Sequence, residues 1–118
     1  MKIKVFGITN CQSVKNAREW LTEHGLEYTF HDFRKSGIDQ AHLRRWIEQS
    51  DIGTILNKRG LTWRQLPQQQ REAIVDKASA VEAMMSHTSL IKRPVIEVDN
   101  RLLSVGVNPQ AWSSVIGD

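Results

Sequence analysis

The stretch Lys2-Ile3-Lys4-Val5-Phe6-Gly7-Ile8-Thr9-Asn10-Cys11-Gln12-Ser13-Val14-Lys15-Asn16-Ala17 contains a change of period that decides the fold. Up to Ile8 the side chains form a short run rich in branched and aromatic residues, as in a buried strand over residues 2–8, and Thr9-Asn10 ends it in a turn. From Cys11 onward Val14, Ala17, Trp20 and Leu21 recur at intervals of three and four, which marks one helix face, and Gly25 is placed to stop that helix. The opening unit reads strand, turn, helix.

Working outward, Leu26 to Arg34 alternates in part and is bounded by Ser36-Gly37, which predicts a second strand. Asp39 can cap a helix whose buried face holds Leu43, Trp46 and Ile47, and Ser50-Asp51 can restart a short one carrying Ile52, Ile55 and Leu56. Pro67 and the glutamines after it open a further helix through Ala73, Ile74 and Ala78, and Ser79-Ala80-Val81-Glu82 reads as the reciprocal cap of the next. Arg93 to Leu103 predicts two strands joined by an Asp99-Asn100 turn, and Asn108-Pro109 breaks the chain before a last short helix through Trp112 and Val115. The order is β-α-β, a helical segment over about residues 38–88, β-β, then α. That predicts an α/β protein, a thioredoxin-like mixed four-stranded sheet with an inserted helical lobe, in one domain over residues 1–118.

The composition narrows the function classes. Sixteen basic and thirteen acidic residues leave a net charge of +3, an excess too small to argue for nucleic acid, and no basic stretch is interleaved with aromatics. No apolar run has signal-peptide or membrane-span character, and a single cysteine excludes an internal disulfide, so the expected setting is the reducing cytoplasm. His24, His31, His42 and His87 lack metal-ligand spacing, so no metal is expected, and the four tryptophans read as core. Asp32, Arg34 and Lys35 read as a solvated loop.

Cys11 is the candidate nucleophile because it stands where strand gives way to helix, where unpaired backbone N–H groups and the helix dipole favour an anionic sulfur. Lys15, one turn on, and Arg18 near the edge of that face would add positive charge if turned inward. Position 14 is Val where a dithiol motif has its second cysteine, so a reaction cycle at Cys11 needs an external thiol, for which glutathione is the candidate co-substrate.

Four segments carry a family resemblance: Gly7-Ile8-Thr9-Asn10-Cys11 with Lys15, Ala17 and Trp20; Tyr28 with Asp32-Phe33-Arg34-Lys35-Ser36-Gly37; Leu56-Asn57-Lys58-Arg59-Gly60; and Leu90-Ile91-Lys92-Arg93-Pro94-Val95. Together they resemble the arsenate reductase and Spx superfamily along nearly the whole chain, and most closely its small bacterial YffB-type members. The resemblance implies that Cys11 is catalytic, that Arg93 faces it and holds an oxyanion, and that Pro94 is the cis proline beside the thiol. Asn10, Lys15, Asn57, Arg59 and Pro94 make up the candidate substrate-binding set.

The chain also departs from the arsenate reductase pattern. Further arginines are expected at the positions of Asn57 and near Ser104-Val105-Gly106, and neither is present, although Arg59 lies two residues from the first. Each missing charge-assisted bond is worth about 1.5–3 kcal/mol, which weighs against arsenate turnover. The expectation is a glutathione-dependent thiol oxidoreductase without a bound cofactor, with glutaredoxin as a further partner. The alternatives are an Spx-like adaptor binding RNA polymerase, or arsenate reductase proper.

Overall fold

The computed structural model describes residues 1–116 of the chain, which divides into two compact units, Met1–Ser36 with Arg93 onward, and Gly37–Lys92.

The first unit is built on a four-stranded sheet. Strand β1 (Ile3–Gly7) leads into helix α1 (Gln12–Glu23), which crosses back to β2 (Thr29–Asp32), parallel to β1. β3 (Val95–Val98) pairs antiparallel with β1, and β4 (Arg101–Val105) with β3, giving the order β2-β1-β3-β4. Asp99 and Asn100 take φ of 51° and 65°, the left-handed pair that a two-residue hairpin turn demands, so the expected hairpin stands.

Helix α1 buries Val14, Ala17 and Leu21. It ends where Gly25 adopts φ of 67°; there the Gly25 N–H bonds the Thr22 carbonyl and the Leu26 N–H bonds that of Leu21, each at 3.0 Å. Ile3, Val5, Ala17, Leu21, Ile96 and Trp112 form one buried cluster, each large side chain contributing about 1.5–3 kcal/mol. Trp112 comes from the last helix, Pro109–Ile116, and its indole donates to Ser104 Oγ at 2.7 Å.

The second strand is shorter than its sequence suggests. Asp32 Oδ1 accepts from the backbone N–H of Arg34 and Lys35 at 2.9 and 3.2 Å, which turns the chain into a one-turn helix, α2 (Phe33–Ser36). Arg34 and Lys35 therefore stand exposed on a helical turn that Phe33 anchors in the core.

The unit Gly37–Lys92 consists of short helices, α3 (Gln40–Gln49), α4 (Ile52–Ile55), α5 (Leu61–Gln65), α6 (Gln68–Glu72) and α7 (Lys77–Ser86), of which α3, α4 and α7 have side-chain caps, then a single 3-10 turn, Thr88–Leu90. Helix α3 buries Leu43, Trp46 and Ile47, as its spacing predicts, and is capped by Asp39, whose carboxylate accepts the His42 N–H at 2.8 Å. Asp51 caps α4 by accepting the Thr54 N–H at 2.6 Å.

The expected long helix through Ala78 divides. α6 stops at Glu72, and α7 begins from Asp76, whose side chain accepts the Ser79 N–H while Ser79 Oγ takes the Asp76 N–H. The reciprocal cap is thus Asp76 with Ser79, three residues earlier than the Ser79-Glu82 reading, since Ser79 serves as the third-residue partner of Asp76 and so lies inside the helix. An isolated antiparallel bridge between Leu56 and Ile91 and the bond from Lys92 N–H to the Ile55 carbonyl, 2.8 Å, close this unit.

Among the tryptophans, Trp46 and Trp112 are fully buried and Trp20 and Trp63 half-buried. On the last helix Trp112 is fully buried while Val115 is 51 % exposed.

Candidate active site

The sheet unit positions the cysteine. β1 ends at Gly7, residues 8–10 turn, and Cys11 occupies the N-cap of α1 with extended backbone angles, φ −152° and ψ 122°. Its carbonyl accepts the Lys15 N–H at 3.0 Å, while its side chain makes no capping bond. Cys11 as a residue is half-buried at the mouth of the helix, and the first turn of α1 carries no acidic residue to oppose a negative charge there.

Register brings the Arg-Pro pair to the same end of the sheet. Phe6 is paired with Val95, so the chain entering β3 runs beside the chain leaving β1. Arg93 is half-buried and Pro94 buried, and the bond between them is cis. The Pro94 carbonyl accepts the Gly106 N–H at 2.8 Å, with Gly106 at φ of 83°. Cys11, Asn10, Lys15, Arg93 and Pro94 thus belong to one unit and one end of its sheet, with Asn10 and Lys15 exposed.

Arg18 is turned to other partners. Its Nε donates to the Tyr28 hydroxyl at 3.0 Å, and its guanidinium lies 4.1 Å from the Phe30 ring centroid, a cation–π contact that anchors it on β2.

Asn57 and Arg59 lie in the other unit, and their local roles are clear. Asn57 Oδ1 accepts the Arg59 N–H at 3.0 Å, and the Asn57 amide nitrogen stands 2.7 Å from where a Cβ on Gly60 would be, so the asparagine folds its own turn. Arg59 is exposed on that turn, and the neighbouring Lys58 ammonium sits 5.5 Å from the Trp63 ring centroid. Near the other expected arginine position, Ser104 is buried and bonded to Trp112.

The local roles of Gly106 and Gly7 are not assigned by the segments that contain them, although a glycine directly after a strand and another at the end of one are available signals. No group of three or more His, Cys, Asp or Glu side chains among the described residues is set to hold a metal ion, and no helix among them is long and apolar enough to cross a membrane.

Comparison with known proteins bears on the fold and the family. A solved structure described as the YffB (PA3664) protein superposes with a TM-score of 0.89 at 44 % identity, covering 95 % of this chain and 96 % of that one. An uncharacterized protein of Haemophilus influenzae is 37 % identical over 112 residues, 95 % of this chain and 96 % of the relative. The global transcriptional regulator Spx of Streptococcus mutans is 25 % identical over 108 residues, 90 % of this chain and 77 % of its own length. The fold is the expected thioredoxin-like α/β arrangement with a mixed four-stranded sheet. The ArsC family model matches residues 6–115, from the end of β1 through the last helix, and the chain belongs to the ArsC family.

Proposed function

We propose that the protein is a cytoplasmic glutathione-dependent thiol oxidoreductase working through Cys11 alone. The observation that carries this reading is the pairing of a half-buried cysteine at the N-cap of α1 with a fully buried Val14 where a resolving cysteine would stand. The Cys11 thiolate attacks the glutathionyl sulfur of a mixed disulfide, the substrate S–S bond breaks, and the substrate leaves as a thiolate that takes up a proton. A second glutathione, as thiolate, attacks the Cys11-bound sulfur, forming oxidised glutathione and returning Cys11 as the thiolate. Arg93 and Lys15 supply positive charge for the anionic groups, and the chain around Pro94 orients the tripeptide.

The test is incubation with oxidised glutathione followed by intact-mass measurement. One glutathionyl group is expected on the native protein and none on Cys11→Ser, with turnover of a glutathionylated peptide in the presence of reduced glutathione. A protein that takes up no glutathione while its thiol reacts with other disulfides would end this reading.

Similarity to Spx along 90 % of the chain favours a second reading, an adaptor that engages RNA polymerase with an incidental cysteine. Under it, Cys11→Ala retains capture of purified polymerase; under the first, no capture occurs. Arsenate reduction is the weaker use of the site, since Asn57 and Ser104 serve the fold where arginines would be needed.

A further inference from the structure

One residue in the first turn of α1 packs tightly on the strand that leads to Cys11. Val14 is one helical turn past Cys11 and 0 % exposed, and it is seated on the end of β1 at Gly7. A Cβ placed on Gly7 would stand 2.7 Å from Val14 Cγ2 and 3.3 Å from Cγ1. Carbon atoms rest at about 3.5–4.0 Å, so a methyl group there would push the first turn of α1 outward by close to an ångström. Valine cannot rotate out of the way: its branched Cβ holds essentially one rotamer in a helix. Nor can the turn flex locally, because the Cys11 carbonyl and the Lys15 N–H close its first hydrogen bond at 3.0 Å across Val14. Gly7 shows no positive φ, so backbone freedom does not explain glycine at this position; close approach does.

We infer that Gly7 is a positioning residue for Cys11: the missing side chain lets Val14 sit directly on the strand, which fixes where the sulfur stands relative to the Arg93-Pro94 segment entering the neighbouring strand. This rests on the reading of Cys11 as the reacting group, and it adds the device that holds it. The consequence is a coupled pair, in which bulk at residue 7 is harmful only while residue 14 is branched.

The experiment compares wild type, Gly7→Ala, Val14→Ala and Gly7→Ala/Val14→Ala, each below its melting midpoint. The readouts are the rate at which Cys11 attacks an aromatic disulfide that releases a coloured thiolate, and the rate with oxidised glutathione. In both, the cysteine thiolate displaces one thiolate and keeps the other half as a mixed disulfide. Gly7→Ala is expected to slow both reactions about tenfold or more, since a misplacement near an ångström is enough for such losses. The double variant is expected within about threefold of Val14→Ala, because the smaller side chain removes the collision. Should Gly7→Ala not fold, Val14→Leu, which adds bulk against the same strand end, replaces it with the same expected slowing. A Gly7→Ala or Val14→Leu protein reacting at the wild-type rate, or a double variant as slow as Gly7→Ala, overturns the inference. The aromatic disulfide reports on Cys11 whether or not glutathione is the natural co-substrate, so failure of glutathione chemistry and failure of positioning are read separately.

Discussion

The two units hold themselves together by different means. In the sheet unit, residues far apart in sequence meet through strand register, Phe6 beside Val95, and through core packing, Trp112 in one cluster with Ile3, Val5 and Leu21. In the Gly37–Lys92 unit, three of the five helices are started by a carboxylate that accepts an N–H three residues on, Asp39 for α3, Asp51 for α4, Asp76 for α7. The first arrangement carries a fixed site, because register and core packing leave a side chain such as Cys11 little choice of position. The second supplies a series of short, locally decided elements, cheap to alter one at a time.

The largest expected effect separates chemistry from stability within the sheet unit. Cys11→Ser removes thiol exchange down to the level of the uncatalysed reaction, yet serine is a good N-cap where cysteine makes no capping bond, so α1 gains about 0.5–1 kcal/mol. Turnover and urea denaturation on the same sample check both halves; a serine variant that is less stable would show that the cysteine packs rather than reacts.

Next comes the core. Trp112→Ala should cost about 3–5 kcal/mol, and Trp112→Phe less, with Ser104 losing its partner in both. Trp46→Ala in the helical unit falls in the same range, being equally buried. Hydrogen exchange then sharpens the comparison: Trp46→Ala is expected to expose the amides of α3 and α7 before those of β1 and β3.

Val14→Cys tests the one-thiol reading with little change of volume. It places a second sulfur one helical turn from Cys11, and an intramolecular disulfide is expected to replace the glutathione adduct in the mass spectrum. Persistence of the adduct would mean that the two side chains diverge.

The smallest effect lies in the caps. Backbone and then side-chain hydrogen bonds from His42 hold Asp39 below the ordinary carboxylate value of 3.8, and bonds from Thr54 and Ser79 do the same for Asp51 and Asp76. Their contribution is therefore complete above the unfolded-state value and is lost as pH falls through the lower folded-state values. Asp39→Asn keeps an oxygen for the cap but no titration, so its stability near neutrality should change by less than about 1 kcal/mol while its acid limb flattens. Denaturation midpoints from pH 7 down to about 2 would show this, and an unchanged acid limb would assign the dependence elsewhere.

Much of this is visible in single residues of the chain. The Asp99-Asn100 turn, the stop at Gly25, the Asp39 cap and the cysteine at the strand-to-helix junction are local events, each decided within one turn by a side chain or by a permitted φ, and local events can be read in order along a sequence. The start of the helix after Asp76 is ambiguous in the sequence because Asp76 with Ser79 and Ser79 with Glu82 fit the same capping pattern, and only the folded chain shows which pair closes.

What the amino-acid sequence determined by itself was the alternation of strand and helix, the place of the cysteine at their junction, and the lack of a second thiol. Only the tertiary structure decided that Arg93 enters the sheet beside the end of β1, that Gly106 holds the Pro94 carbonyl, that Arg18 turns to Tyr28 and Phe30, and that Val14 rests on Gly7. The reason is physical: these are contacts between distant parts of the chain, chosen by which packing of the whole sheet unit leaves least empty space and fewest unbonded polar groups, and no window of a few residues contains that choice.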